Sequence, residues 1–250
     1  MLNRFKSPWE YSSIDVAYGG GGHRKFFFRA KTSDERVIHE AFRNQQYELG
    51  RLRRSSELKD LLARQKNTGK SPLVIDAGAN IGASAIVFAS MVPDAKVVAI
   101  EPHGENFELL ARNVSGLPIE PMRAALSSAQ GHARIVDPGE GHWGYRTENM
   151  NGSVAISAAI PRVTIGEIYE RYSATAFPFI VKVDIEGGEA DLFAANTQWV
   201  VSTPLLIVEL HDWMLPRSGN SRMFLQCVSQ LDRDFVYIGE DIYSIANNLS

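Results

Sequence analysis

The chain has little cysteine and no long apolar run, and each deficit excludes a class of protein. Cys227 is the single cysteine among 250 residues, so no intramolecular disulfide can form, as is typical of proteins from a reducing compartment. No segment approaches the ~20 apolar residues of a membrane span, and the opening residues MLNRFKSPWE begin no signal peptide. We therefore expect a cytoplasmic protein without a membrane segment.

An excess of positive charge is also missing. The 26 lysine and arginine residues are outnumbered by 29 aspartate and glutamate residues, which gives a formal net charge of −3. Proteins that grip nucleic acid through its phosphates usually carry a basic excess. The composition therefore disfavours nucleic acid as a partner and favours a small-molecule ligand.

What the chain does contain is an alternation of strand and helix patterns from residue 71 onward. Short runs rich in valine and isoleucine, such as PLVIDAG, KVVAIE, PFIVKVDIEG and PLLIVELHD, are separated by segments that predict helices. Such alternation indicates an α/β domain with a mostly parallel sheet and helices on both faces. We assign residues 71–250 to this domain and residues 1–70 to an N-terminal strand and helix extension that packs on it.

Several single elements are predicted with it. In the extension, RKFFFRA predicts a strand, and residues 33–49 predict an amphipathic helix with Ser33 as its N-cap. Further along, IEPMRAALS predicts one strand and FVYIGEDIYSI a closing hairpin. The glycine-rich connection at 138–151 carries Trp143 and Tyr145, which belong either to a substrate lid or to an ordinary loop.

The first strand of the alternating region runs into residues 76–82, where a ligand loop is expected. Ligands of doubly wound sheets bind beyond the carboxyl ends of the strands, and glycine lets the backbone turn tightly there. An aspartate at this point repels a pyrophosphate, and the G-x-G-x-x-G pattern of dinucleotide sites is absent. Glu101 ends the second strand, where an acid hydrogen-bonds the hydroxyl groups of a ribose. Asp76 and Glu101 together suit a ligand with an ammonium group and a ribose, and S-adenosylmethionine has both.

Ionisable side chains also follow one face of two later strands. In FIVKVDIEGGE, Lys182, Asp184 and Glu186 alternate with apolar residues, and in LIVELHD, Glu209 and His211 do the same. Buried charges are costly without partners, so these groups form either a structural salt-bridge network or an active site. We favour an active site and expect the two polar faces to converge if the strands are neighbours.

The chemistry of that cluster has two possible forms. The ordinary pKa of a histidine suits His211 to act as a general base at neutral pH, with Asp184 or Glu186 orienting it or the substrate. Alternatively, a divalent ion held by the oxygen atoms of Asp184, Glu186 and Glu209 acidifies a bound hydroxyl group. A metal ion is possible but is not the expected solution.

Several of these motifs, taken in order, resemble one family. VIDAGANIGAS, VVAIEP, AALSS, VKVDIEGGEADLF and LLIVELH are together similar to the FkbM family of S-adenosylmethionine-dependent methyltransferases. The resemblance covers roughly residues 71–211, and KFFFRA to QQYEL is similar to the lead-in of that family. It implies a class I methyltransferase fold of seven strands with an antiparallel last strand, and methylation of hydroxyl groups on sugars, polyketide-type molecules or similar small metabolites.

The resemblance also implies roles for residues of this chain. Asp76, Gly78, Asn80 and Gly82 would line the methionine end of the cofactor, Glu101 would hold the ribose, and Ala125, at the end of the third strand, would lie near the adenine. The predicted cofactor-binding set is Asp76, Gly78, Asn80, Ile81, Gly82, Glu101, Pro102, Ala125 and Asp184. The predicted catalytic set is Lys182, Asp184, Glu186, Glu209 and His211.

Two other classes of protein remain as alternatives. An NAD-dependent oxidoreductase would share the acid at the second strand, although the missing glycine triplet disfavours it. A protein that binds S-adenosylmethionine without catalysis would have no use for the ionisable cluster. No Asn-Pro-Pro-Tyr-type sequence follows the fourth strand, which disfavours methyl transfer to amide or nucleobase nitrogen and favours oxygen.

Overall fold

The computed structural model describes residues 9–18, 22–136, 146–149 and 159–249. Its strands are β1 Tyr11–Tyr18, β2 Gly22–Arg29, β3 Ser71–Ala77, β4 Lys96–Ile100, β5 Ile119–Met122, β6 Ala125–Leu126, β7 Gly131–Val136, β8 Arg146–Asn149, β9 Ile160–Val163, β10 Ala176–Val183, β11 Leu205–Glu209, β12 Arg233–Ile238 and β13 Asp241–Ala246. Its α-helices are α1 Asp34–Ile38, α2 Ser55–Lys66, α3 Ala83–Met91, α4 Gly104–Asn113, α5 Ile165–Tyr172, α6 Glu189–Leu192, α7 Gln198–Ser202 and α8 Arg222–Val228. Among the residues described, no helix has both the length and the apolar composition needed to cross a membrane.

The centre of the fold is a seven-stranded sheet with the strand order β5-β4-β3-β10-β11-β13-β12. The five strands from β5 to β11 pair in parallel, and β13 is antiparallel to both of its neighbours. This order and this single reversed strand confirm the predicted class I methyltransferase fold. The chain builds outward from β3 through β4 and β5 and then returns to β10 on the other side. The carboxyl ends of β3 and β10 therefore flank the crevice in which ligands of such sheets bind.

Helices cover both faces of this sheet, as the near-continuous apolar strands require. Helices α2, α3 and α4 pack on the face that carries Val74 and Ile207, and α5, α7 and α8 pack on the face that carries Ile75 and Val208. Successive side chains along each strand point to opposite faces of the sheet, so every second residue contributes to the same apolar core.

The N-terminal residues share the first of these cores. Val16, Phe26 and Phe28 of the β1–β2 hairpin are buried in the same apolar cluster as the helices on that face. The side chain of Asn113 donates to the carbonyl oxygens of Phe27 and Ile81 and accepts from the Phe27 N–H, so it ties the hairpin to the loop after β3. The division of the chain at residue 70 stays a prediction.

Two predicted elements differ in the structure. The helix at 33–49 ends as a π-helical turn, His39–Arg43, and Ser33 makes no side-chain cap hydrogen bond. The predicted single strand IEPMRAALS is two strands, β5 and β6, in different sheets, because the chain leaves the edge of the central sheet after Met122 and pairs with β9. The closing hairpin is confirmed as β12 and β13. Trp143 and Tyr145 lie outside the described residues.

Candidate active site

The loop between β3 and α3, residues 78–82, lies within the ligand loop predicted at residues 76–82, and we call it the cofactor loop after the ligand expected there. Gly78 has a φ of +75°, and a Cβ atom there would lie 1.6 Å from the carbonyl oxygen of Asp184. Only glycine permits this approach, which presses the cofactor loop against the end of β10. Asn80 and Gly82 also have positive φ, of 48° and 94°, so the loop turns sharply twice before α3 begins.

Glu101, immediately after β4, is buried beneath this loop. Its Oε2 accepts the Asn80 N–H at 2.9 Å and its Oε1 accepts the His103 N–H at 2.8 Å. Burial raises the pKa of Glu101 to about 7, although these N–H donors act in the opposite direction. The carboxyl group is therefore fixed in orientation at the position where the sequence predicts ribose binding.

Asp76 is completely buried at the end of β3. Its Oδ2 accepts the Ser84 hydroxyl at 2.6 Å, and its Oδ1 lies 3.5 Å from Nζ of Lys182. Burial raises the pKa of Asp76, although Lys182 opposes the shift. A lysine of the chain is thus its nearest cation, and the predicted contact of Asp76 with an ammonium group of the cofactor stays a prediction.

Lys182 joins the cofactor loop to the end of β10. Its buried Nζ donates to the carbonyl oxygen of Gly78 at 2.9 Å and to Oδ2 of Asp184 at 3.0 Å. Burial acts to lower the pKa of Lys182, but the neighbouring carboxylate groups, Asp184 foremost, hold it above its ordinary value. The charged lysine pairs with Asp76 and Asp184, and its predicted catalytic role stays a prediction.

The second polar region, which we call the acid cluster, consists of His211 with Asp184, Glu186 and Glu209. Nε2 of His211 lies 3.4 Å from Glu186 Oε2, 3.4 Å from Glu209 Oε1 and 3.6 Å from Asp184 Oδ1. The predicted convergence of the two polar strand faces is confirmed. It follows from the parallel pairing of β10 with β11, which brings their carboxyl ends side by side.

Glu189 orients the imidazole of His211, a role that was not predicted from the sequence. Its Oε1 lies 3.0 Å from Nδ1 of His211, and its Oε2 accepts the Asn220 side-chain N–H at 2.5 Å. An ionised carboxylate can only accept, so Nδ1 donates to it and Nε2 is turned toward the acid cluster. Both residues are buried. The signal in the sequence was Glu189 itself, an acid at the start of a helix directly after Gly187 and Gly188.

The four carboxylate groups around His211 change its acid–base behaviour. Burial acts to lower its pKa, but the hydrogen bond and charge of Glu189, followed by Asp184 and Glu186, raise the pKa of His211 to about 10. Burial, followed by the charge of Asp184, raises the pKa of Glu186 and of Glu209 to about 8. The expectation that His211 titrates near its ordinary value is therefore wrong in this structure.

The other residues of the predicted cofactor set are scattered. Ala125 is buried in β6 of a separate four-stranded sheet and does not end the third strand of the central sheet, as the sequence analysis expected. The side chain of Ile81 is fully buried in the core, so within the cofactor loop only its backbone is left to meet a ligand. Pro102 lies directly after Glu101 and is partly buried.

The strand order, with its single reversed strand β13, is that of the class I methyltransferase fold. A family model, described as the methyltransferase FkbM domain, matches residues 76–237. The chain belongs to the FkbM methyltransferase family.

The individual proteins and solved structures that resemble this chain share only 10–28% sequence identity with it. The hexuronic acid methyltransferase AglP of Haloferax volcanii is 28% identical over 144 residues, which are 57% of this chain and 57% of that protein. The bifunctional kinase–methyltransferase WbdD has a TM-score of 0.40 at 13% identity, covering 76% of this chain and 38% of that chain. The Methanococcus jannaschii fibrillarin, a pre-rRNA processing protein, has a TM-score of 0.37 at 10% identity, covering 71% and 66%.

Proposed function

We propose that this methyltransferase uses S-adenosylmethionine to methylate a hydroxyl group of a small metabolite of the sugar or polyketide type. The observation that carries the proposal is the adjacency of two different polar regions at one crevice. The cofactor loop and Glu101 form one region, and the acid cluster forms the other. Lys182 contacts both, through Gly78 and Asp184.

The residues of the first region fit the proposed cofactor. Glu101 presents a fixed carboxyl group for the two ribose hydroxyl groups, and Asn80 has a buried Oδ1 with no hydrogen-bond partner in the described part of the chain. Such an orphaned acceptor suits a ligand that donates hydrogen bonds. S-adenosylmethionine would supply the electrophilic methyl group for the transfer.

The second region suits the acceptor. Asp184, Glu186 and Glu209 offer carboxylate oxygens that orient a hydroxyl group and receive its proton while its oxygen is aligned for methyl transfer. Glu189 holds the imidazole of His211 in one orientation within this acid cluster. The printed name of the relative AglP says that it methylates a hexuronic acid, which supports a sugar-type acceptor here.

The competing functions lack these supports. An NAD-dependent oxidoreductase needs room for a pyrophosphate at the first loop, where Asp76 is buried and the glycine triplet is absent. A protein that only binds S-adenosylmethionine has no need of three carboxylate groups gathered around an imidazole. Methyl transfer accounts for both polar regions.

The test is incubation of the purified protein with S-adenosylmethionine labelled in its methyl group and a panel of hydroxylated metabolites that includes uronic acids. We expect label in at least one acceptor, in a form stable to mild alkali because an ether survives conditions that hydrolyse a methyl ester. Alkali-labile label would move the acceptor atom to a carboxyl group. Calorimetric binding of NAD, with none of S-adenosylhomocysteine, would overturn the proposed cofactor.

A further inference from the structure

The separations within the acid cluster are unusual for a hydrogen-bonded network. N–H···O hydrogen bonds have donor–acceptor distances of about 2.7–3.2 Å. Nε2 of His211 instead lies 3.4–3.6 Å from its three carboxylate neighbours and makes no hydrogen bond to any described residue, although only 1% of the side chain is exposed. Oε2 of Glu186, which points to it, is also buried without a hydrogen-bond partner among the described residues.

These separations match those between neighbouring ligands of a metal ion. Two donor atoms that each lie about 2.1 Å from a tetrahedral ion are about 3.4 Å apart. In this structure one nitrogen of His211 and one oxygen each of Asp184 and Glu186 lie within 4.8 Å of one another. An ion between them would satisfy Nε2 and the orphaned oxygen of Glu186 together.

The surroundings of His211 are those of a metal-bound histidine. A ligating histidine almost always donates its other ring N–H to a carboxylate or carbonyl group, which fixes the ring. Glu189 occupies that position at Nδ1, and it is itself held by Asn220 and by the Ile185 N–H at 3.2 Å. This second layer turns Nε2 toward the site, where a bound metal ion would displace the proton of Nε2.

The local charge also favours a cation. Lys182 pairs with Asp184 and Asp76 but is not in contact with Glu186 or Glu209. The acid cluster and Glu189 together carry four carboxyl groups around one imidazole. The backbone keeps Glu186 in place, since it has a positive φ of 52° and is followed by Gly187 against Leu215.

We propose that His211 Nε2, Asp184 and Glu186 bind one divalent transition-metal ion, with Glu209 as a further oxygen ligand. The mixed set of imidazole and carboxylate donors favours manganese or zinc over magnesium or calcium, because the hard cations prefer oxygen alone. A role for the ion in polarising the acceptor hydroxyl rests on the proposed function, whereas the binding of the ion is independent of it.

The test uses the whole 250-residue chain, stripped with EDTA and transferred to chelator-free buffer without S-adenosylmethionine. Mn²⁺ is titrated in, and the free ion is followed by electron paramagnetic resonance. We expect one bound ion per chain, a ¹⁴N coupling from a single histidine in the pulsed spectrum, and at least ~10-fold weaker binding of Mg²⁺ and Ca²⁺.

Substitutions localise the ion. His211→Gln should remove the ¹⁴N coupling, and Glu186→Gln should weaken Mn²⁺ binding by at least ~10-fold. Glu189→Gln should weaken it by a similar factor, because Glu189 orients the imidazole ring. Glu186 is partly exposed, so Glu186→Gln keeps the test valid if circular dichroism shows that His211→Gln has not folded. Glu108→Gln, an exposed glutamate on α4, is the matched control and should bind as the unmodified protein does.

Failure to bind Mn²⁺ or Zn²⁺ at millimolar concentration would overturn the proposal, as would binding that both site variants leave unchanged. The outcomes for the metal and for the proposed function are separable. Methyl transfer by stripped protein that binds no ion would reject the metal site alone, whereas a bound ion without methyl transfer to any acceptor would reject the proposed function alone.

Discussion

Glu101 and Glu186 are both largely buried glutamates at the same crevice, but the chain surrounds them in different ways. Glu101 accepts two backbone N–H groups and has a fixed orientation before any ligand arrives. Oε2 of Glu186 has no hydrogen-bond donor among the described residues and faces an imidazole at 3.4 Å. The comparison indicates that the chain itself fixes the orientation of Glu101, whereas Oε2 of Glu186 is left without a hydrogen bond from the described residues.

The largest expected effect is on the rate of methyl transfer, and it distinguishes the acid cluster from the cofactor loop. His211→Ala and Glu186→Ala should lower the rate of methyl transfer by ~10²–10⁴-fold, since each removes a group that orients the acceptor or handles its proton. The affinity for S-adenosylhomocysteine, measured by calorimetry, should stay near that of the unmodified protein. His132→Ala changes an exposed histidine and is the control. Full activity in His211→Ala would return the acid cluster to a purely structural role.

The next effect tests how closely the cofactor loop packs against the end of β10. Gly78→Ala places a methyl group on the Asp184 carbonyl oxygen and should lower the free energy of unfolding by about 3 kcal/mol or more. Gly116→Ala is a matched control, because Gly116 has a similar φ of +79° but no atom within 4 Å of the added Cβ. The free energy of unfolding of Gly116→Ala, measured by urea denaturation, should fall by only about 1–2 kcal/mol. Equal losses in the two variants would show that the close contact with Asp184 is not what requires glycine.

A smaller effect concerns the acidity of Glu101. Because burial raises its pKa to about 7, the group is mostly protonated at pH 6 and mostly ionised at pH 8. The ionised form accepts hydroxyl groups best, so the affinity for S-adenosylhomocysteine should rise ~5–10-fold over this range. Glu101→Gln should remove the pH dependence and weaken binding by about 1–3 kcal/mol. An affinity that is independent of pH in the unmodified protein would place the ribose elsewhere.

The ionisation of Glu101 also affects the stability of the folded protein without ligand. This stability falls as the pH rises, whereas the affinity for S-adenosylhomocysteine increases. The folded state holds the Glu101 proton more tightly than the unfolded state, in which the pKa is near 4.5. The contribution of this group to stability is therefore present at low pH and is lost as the pH rises from about 4.5 through 7. Thermal unfolding of Glu101→Gln should lack this component and otherwise follow the unmodified protein.

Much of this arrangement could be predicted from the sequence because it depends on local patterns. The alternation from residue 71 predicted the sheet, and the period of two along FIVKVDIE predicted that Lys182 and Asp184 share a face. Once β10 and β11 are neighbours, the approach of His211 to Asp184 and Glu186 follows from the register of parallel strands.

What the sequence did not predict depends on contacts between distant segments. Glu189 looks like an ordinary acid in the first turn of a helix, and only the return of the chain from β11 brings His211 onto it. The strand β1, YSSIDVAY, was not predicted; most of its residues are exposed, and it forms by pairing with β2. Ala125 was misplaced because nothing local shows that the chain changes sheets after Met122.

The contact between Gly78 and the Asp184 carbonyl oxygen has a consequence for the divergence and engineering of this protein. A backbone separation that leaves no room for a single methyl group means that the loop after β3 and the loop after β10 cannot move or lengthen independently. Libraries meant to change acceptor choice should therefore keep residues 78 and 184 as one fixed unit. Diversity belongs instead at the exposed Trp213 and the partly exposed Leu215, which border the site without touching this contact.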